Sequence, residues 1–284
     1  MKRYERIFWI FEDEPAVDAA LRRAAVIARA FSGRLVLAAL AGEGREDELT
    51  RRLAETAAVL DAGLVERTVV LPAGDADALL AELAGGRFDL VAKKASPDRT
   101  LGSYLLGTLD TFLIEHAPVP VLVEKPVPQE RIAHVLVAVD LTDDAAHENL
   151  LLDHAVSLAR ALGARMSVLH VWHMESEEAL RGRAFTAAAK RAIDEEKEAE
   201  TRRRREALAA VVEPFREIGI SIAVLVEEGP VATTIVEVGK REAADLIAIG
   251  THVRSHVETL LLGSTAESVL RLVETNLLVV RPPA

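Results

Sequence analysis

The chain has 284 residues, of which 50% are hydrophobic and 28% charged, so it can form two domains with sizeable cores. Its formal net charge of −11 argues against nucleic acid and anionic membranes as the main partners, because both require a basic surface. The sequence contains no cysteine, which excludes disulfides, thiolate zinc sites and cysteine nucleophiles. No apolar stretch is long enough to span a bilayer, and we expect a cytoplasmic protein.

Short apolar runs alternate with helical periodicity along the chain, a pattern typical of βαβ units around a parallel sheet. In the first half, strands are predicted at residues 6–11, 34–39, 65–71, 90–93 and 119–124. In the second half, they are predicted at residues 135–139, 165–171, 220–227, 246–249 and 277–281. The predicted fold class is α/β, with two tandem doubly wound domains, each a five-stranded parallel sheet ordered 3-2-1-4-5. A proline-containing linker at residues 125–130 separates the predicted domains, residues 1–126 and 131–284.

The two halves repeat each other. Asp89-Leu-Val-Ala in the first half matches Asp245-Leu-Ile-Ala in the second, and a glycine follows each aspartate 18 residues later. The first strand of each half is followed by a carboxylate, Glu12 or Asp140. Self-similarity at a fixed offset indicates an internal duplication.

The second half contains a long charged segment, residues 175–218, in which acidic and basic residues are mixed. We predict a long solvent-facing helix with i,i+4 ion pairs such as Glu198 with Arg202. The alternative is that the arginines at residues 202–205 dock an anionic partner, although the intermixed acids count against it.

The segment from Gly250 to Ser264 is the strongest candidate for a ligand site. A strand is predicted to end at Gly250, and a helix is predicted to start after Gly263, where free backbone N–H groups form a natural anion site. Ligands of open parallel sheets bind beyond the carboxyl ends of the strands, where Asp140 is also expected and can accept hydrogen bonds from a ribose hydroxyl or a base. The alternative is that these glycines merely permit tight turns.

These features resemble the universal stress proteins. The resemblance lies in Val-Ala-Val-Asp at residues 137–140, Val-Leu-His-Val at residues 168–171 and the loop that starts at Gly250, and two copies in one chain resemble the tandem E-type members. ATP-binding members carry Gly-x2-Gly-x9-Gly-[Ser/Thr], which stands here as Gly250-x2-Val253-x9-Gly263-Ser264. The resemblance implies a site for an adenine nucleotide, ATP or AMP, formed by Asp140, Val171, Ile249, Gly250, Val253, Gly263, Ser264 and Thr265.

The resemblance also implies how the molecule is assembled and how it acts. The last strands of two such domains associate, which in a tandem chain gives an intramolecular pseudo-dimer, and a further homodimer is left open. The implied role is a stress response through ligand binding rather than turnover. No Gly-x-Ser-x-Gly, Walker A or His-Glu-x-x-His motif occurs, and weak ATPase activity is left open.

Two departures from the family pattern bear on ligand binding. Val253 replaces a glycine, and valine is among the poorest residues for positive φ, so the phosphate end of the site is expected to be narrowed. In the first half, Lys94 and Pro97 occupy the first two loop positions and Glu12 occupies the carboxylate position. We therefore predict that the first half binds no nucleotide; the alternative is that Lys93 and Lys94 receive an anionic ligand.

Two other functions compete with nucleotide binding. The first is zinc binding through a histidine cluster, since three or four imidazoles suit zinc; its residues are His170, His173, His252 and His256. In nucleotide-binding relatives, histidines at two of these places occur without a metal. The second is a ligand-free interaction scaffold that uses residues 175–218 as its contact surface.

Overall fold

The computed structural model describes residues 3–12, 15–61, 63–95, 108–127, 131–141, 145–174, 187–251 and 264–282. In these ranges no helix combines the length and the apolar composition that crossing a bilayer requires.

Strands and helices alternate through the first half. In chain order the elements are β1 (Arg6–Phe11), α1 (Ala19–Ala30), β2 (Arg34–Ala41), α2 (Glu46–Val59), β3 (Val65–Pro72), α3 (Ala76–Gly85), β4 (Leu90–Lys94), α4 (Thr108–His116) and β5 (Val121–Glu124). Aspartates cap two of the helices, because Asp18 accepts a hydrogen bond from Leu21 N at 3.0 Å and Asp75 accepts one from Ala78 N at 2.9 Å.

The second half repeats this order with a longer second helix. Its elements are β6 (His134–Ala138), α5 (Ala145–Leu162), β7 (Arg165–Trp172), α6 (Ala187–Val212), a 3-10 helix (Glu213–Ile218), β8 (Ile222–Glu228), α7 (Val231–Arg241), β9 (Leu246–Gly250), α8 (Ser264–Leu272) and β10 (Asn276–Val280). All ten predicted strands are present, with ends displaced by at most a few residues.

All ten strands form one continuous sheet in the order β3-β2-β1-β4-β5-β10-β9-β6-β7-β8. Each half therefore has the predicted order 3-2-1-4-5, and its internal pairings are parallel. The halves meet where β5 and β10 pair antiparallel, with Leu278 opposite Leu122. This pairing of the two last strands is the association that the family resemblance implies.

Helices cover both faces of the sheet and create two apolar cores. One core contains buried residues of α1, α2, α5 and α6, and the other contains those of α3, α4, α7 and α8. In each half, the first two crossover helices therefore lie on one face and the last two on the other. This arrangement places a topological switch point between β1 and β4 in the first half, and between β6 and β9 in the second.

The repeated aspartates have the same structural role in both halves. Asp89 Oδ2 accepts hydrogen bonds from the backbone N–H groups of Glu5 and Arg6, at 3.0 and 2.9 Å. Asp245 Oδ2 accepts the equivalent bonds from Ala133 and His134, at 2.8 and 3.0 Å. Each aspartate thus joins the start of the fourth strand to the start of the first, which explains why the duplication preserves it.

Charged side chains are buried near the junction of the halves. Arg23 of α1 pairs with Glu124 of β5, and both are almost fully buried. Burial raises the pKa of Glu124 to about 7, although the charge and hydrogen bond of Arg23 lower it. Lys125 is 1% exposed, and its backbone N–H donates to Asn276 Oδ1 at 2.9 Å. Lys125, predicted to lie in a linker, is therefore packed between the halves.

Candidate functional site

The candidate site of the second half lies at the switch point between β6 and β9. Asp140 follows β6 by two residues and is exposed, while Gly250 is the last residue of β9. Because β6 and β9 are parallel neighbours, both positions lie at the same carboxyl edge of the sheet. The structure therefore brings together the carboxylate and the first glycine that the sequence predicted to share a site.

Thr251 adds a polar group at this edge. Its backbone N–H donates to the Val280 carbonyl at 3.0 Å, which fixes the residue beside the end of β10. The side chain is buried, and its hydroxyl has no hydrogen-bond partner among the described residues. Most buried hydroxyls in folded proteins have a partner, so Thr251 is a candidate ligand contact that the sequence analysis missed. A threonine directly after the candidate glycine was the available signal.

The remaining predicted nucleotide-site residues are placed as follows. Val171 and Ile249 are buried in the core on the α7 and α8 face, near the carboxyl ends of β7 and β9. Helix α8 begins at Ser264, as predicted, and Thr265 is its second residue. Val253 and Gly263 lie outside the described residues.

His170 is buried below the same edge with both ring nitrogens engaged. Nδ1 lies 3.1 Å from the Val139 carbonyl oxygen, and Nε2 lies 3.0 Å from a guanidinium nitrogen of Arg204. Burial lowers the pKa of His170; the Val139 hydrogen bond raises it, Arg204 lowers it further, and Asp140 raises it. The imidazole is therefore held neutral at neutral pH.

This geometry removes His170 from the zinc hypothesis. A metal ligand needs a free ring nitrogen, but Nδ1 donates to Val139 and Nε2 faces the permanent cation of Arg204. His173 is exposed, whereas His252 and His256 lie outside the described residues. In the part of the chain that is described, no three His, Asp or Glu side chains are grouped so as to hold a metal ion.

The equivalent edge of the first half is bridged by an ion-pair cluster. Lys93, near the end of β4, is fully buried, and its Nζ contacts Glu12 at 2.5 Å and also pairs with the buried Asp110 of α4. Glu12 occupies the position of Asp140, so the Lys93–Glu12 pair spans the switch point between β1 and β4. The internal ammonium group of Lys93 thus lies at the edge where the second half has the exposed Asp140.

The alternative of an anionic ligand on Lys93 and Lys94 is wrong for Lys93. Its charge is compensated by two carboxylates within the fold, and its side chain is inaccessible. Lys94 is half exposed and pairs with Asp18 at 3.2 Å. In the sequence, the charges of the two lysines seemed available to a ligand, because their carboxylate partners come from other segments of the chain.

Of the long helix predicted in residues 175–218, the structure shows α6 at Ala187–Val212 and a 3-10 helix at Glu213–Ile218, and residues 175–186 lie outside the described residues. Arg202 and Glu198 are exposed, and their side chains lie 4.0 Å apart at i,i+4 spacing. Arg204 differs, because its Cζ lies 5.1 Å from the centroid of the Trp172 ring, at the end of β7. One arginine of the run therefore packs on the sheet edge, with 32% of its side chain still exposed.

A shallow cavity of about 150 Å³ lies at the opposite edge of the sheet, beside the amino ends of β9 and β10. Its lining is mainly apolar and includes Val236, Ile247 and Val273, and Lys240 pairs with Glu274 at 3.0 Å at its rim. Ligands of doubly wound sheets bind beyond the carboxyl ends of the strands, so this cavity is not part of the candidate site.

Sequence comparisons identify related proteins for both halves. The profile of the universal stress protein family matches residues 132–281. The chain is 26% identical over 220 residues to the universal stress protein E homolog of Haemophilus influenzae, across 75% of this chain and 69% of that protein. It is 30% identical over 130 residues to a universal stress protein of Methanocaldococcus jannaschii, across 46% of this chain and 72% of that protein.

Solved structures share the whole tandem fold. A functionally unknown protein from Pseudomonas aeruginosa superposes with a TM-score of 0.75 at 24% identity, covering 98% of this chain and 93% of that one. A universal stress protein from Archaeoglobus fulgidus has a TM-score of 0.66 at 18% identity, with 98% of both chains covered. At these identities the structures support the fold alone.

Proposed function

Because the chain belongs to the universal stress protein family, we propose that it acts in the stress response by binding one adenine nucleotide, ATP or AMP, in its second half. The site is the carboxyl edge of β6 and β9, with Asp140 receiving the ribose or base and the start of α8 receiving phosphate. Binding, rather than turnover, is the proposed activity.

The observation that carries this proposal is the contrast between the two halves at one edge. In the second half, the switch point carries the exposed carboxylate of Asp140 and the buried hydroxyl of Thr251, which has no partner within the described ranges. In the first half, Lys93 bridges the same place with its charge compensated by carboxylates. A single ligand per chain follows from this difference.

The chemistry of the edge suits a nucleoside with an anionic tail. A carboxylate accepts hydrogen bonds from ribose hydroxyls, and the first turn of a helix offers N–H groups and a positive dipole end to phosphate. Val171 and Ile249 are buried core residues near the ends of β7 and β9, and we infer that the base packs beside them. The separation of polar and apolar groups matches the base, sugar and phosphate of one ligand.

Isothermal titration calorimetry with AMP and with ATP tests the proposal. We expect one site per chain in the wild type and an affinity loss of about tenfold or more for Asp140→Ala, from the loss of a charged hydrogen bond. Glu12→Gln, at the equivalent position of the first half, is the matched control and should leave affinity unchanged. Two sites per chain, or no binding of either nucleotide, would contradict the proposal.

A further inference from the structure

Helix α6 reaches the candidate edge through Arg204. A guanidinium nitrogen of this residue lies 3.0 Å from His170 Nε2, and the planar group lies over the Trp172 ring. The adjacent Arg203 is instead 68% exposed and pairs with Glu200 at 3.1 Å. Two consecutive arginines, both close to Glu200, therefore differ in whether they contact the sheet.

The contacts of His170 determine its tautomer. The Val139 carbonyl oxygen can only accept a hydrogen bond, so Nδ1 must carry the proton. A guanidinium group can only donate, so Nε2 must be the acceptor toward Arg204. Val139 directly precedes Asp140, and a chain of hydrogen bonds thus runs from helix α6 to the backbone beside the candidate carboxylate.

The first half has no equivalent of this arrangement among its described residues. Because β2 pairs with β1 as β7 pairs with β6, the positions of His170 and Trp172 correspond to Ala39 and Ala41. The indole N–H of Trp172 is buried without a hydrogen-bond partner among the described residues. The cluster of Arg204, His170 and Trp172 therefore occurs in the half with the exposed Asp140, and not in the half that Lys93 bridges.

We propose that Arg204 is a positioning residue for the ligand edge: it holds His170 in the tautomer that donates to Val139, and so fixes the backbone from which Asp140 projects. The inference rests on the proposed function, because its consequence is the affinity of the site for nucleotide. Helix α6 is then a part of the site, and undocking Arg204 weakens binding without removing any residue that touches the ligand.

The test compares Arg204→Met with Arg203→Met and Arg204→Lys. Methionine keeps an unbranched apolar stem against Trp172 but cannot donate to His170, whereas lysine restores one donor. We expect Arg204→Met to weaken AMP binding by about threefold, less than Asp140→Ala does, because the carboxylate is kept and only the support of its backbone is lost. Arg203→Met should bind as the wild type does, and Arg204→Lys should recover part of the loss.

Nitrogen-15 NMR of the His170 ring in mildly alkaline buffer supplies a readout that needs no ligand. The wild type should show the Nδ1–H tautomer, and Arg204→Met should show a mixture, because the guanidinium no longer excludes a proton from Nε2 while the Val139 hydrogen bond still favours Nδ1–H. Wild-type AMP affinity in Arg204→Met would overturn the inference. If the wild type binds neither AMP nor ATP, the proposed function fails, and the NMR decides the hydrogen-bond chain alone: an unchanged tautomer in Arg204→Met overturns it, and a mixture supports it.

Discussion

Replacing Lys93 by isoleucine is expected to destabilise the first half substantially. Lys93 and Asp110 are both fully buried, so the substitution leaves a carboxylate in the interior without its main cation. Removing one partner of a buried pair typically costs about 3–5 kcal/mol. Glu12 is 30% exposed and can be resolvated, so the loss of its ion pair with Lys93 adds little to this cost. We therefore expect a loss of about 3 kcal/mol, at the lower end of this range.

The second half shows which double variant should restore the stability that Lys93→Ile loses. At the equivalent positions the second half has Ile249 and Ala266, both buried, so Lys93→Ile/Asp110→Ala gives the first half the residues of the second. Replacing both members of a buried pair by apolar residues is often close to neutral, and the double variant should recover about 2 kcal/mol or more relative to Lys93→Ile.

Urea unfolding followed by circular dichroism measures both effects as free energies of unfolding. A free energy of unfolding for Lys93→Ile within about 1 kcal/mol of the wild type would show that Lys93 contributes no more than a surface ion pair does. A double variant less stable than either single variant would contradict the predicted rescue, because the two charges would then not compensate each other.

Two further predictions concern the sheet. His134 contacts the Glu242 carbonyl and Ser167 Oγ, and burial lowers its pKa. The folded state therefore binds fewer protons than the unfolded chain near pH 6.5 and below. The stability advantage of the wild type over His134→Gln should shrink as the pH falls through about 6.5. An advantage independent of pH in urea titrations would contradict this. Leu278 is fully buried where β5 and β10 pair, and Leu278→Ala should lower the free energy of unfolding by about 2–5 kcal/mol. Leu272 is 47% exposed, and Leu272→Ala should change it by no more than about 0.5 kcal/mol in the same assay. Equal losses of unfolding free energy in the two variants would show that the pairing of β5 with β10 contributes no special stability.

The strands of the sheet could be predicted well because local hydrophobic patterns in the sequence determine where strands and helices form. Buried parallel strands are short apolar runs between amphipathic helices, and both halves follow this pattern. The duplicated Asp89 and Asp245 showed that the halves share one topology, although their role in joining two strand starts needed the structure. The predicted domain limits, residues 1–126 and 131–284, fall between β5 and β6 and stay a prediction.

The side-chain clusters at the two switch points were harder to foresee. Lys93 looked like an anion site because Asp110 lies 17 residues away on another element. Aligning the repeat gives a usable signal, since Asp110 stands where the second half has a buried alanine. Arg204 gave no such signal: its neighbours in the sequence are also charged, and its contact with His170 depends on how α6 docks on the sheet.

Native mass spectrometry of the protein as purified, and again after incubation with AMP, tests the central claim most directly. We predict a single added nucleotide mass per chain, lost in Asp140→Ala and retained in Glu12→Gln. A chain without added mass after incubation, or one that carries two nucleotides, would contradict a single site at Asp140 and an internally bridged switch point in the first half.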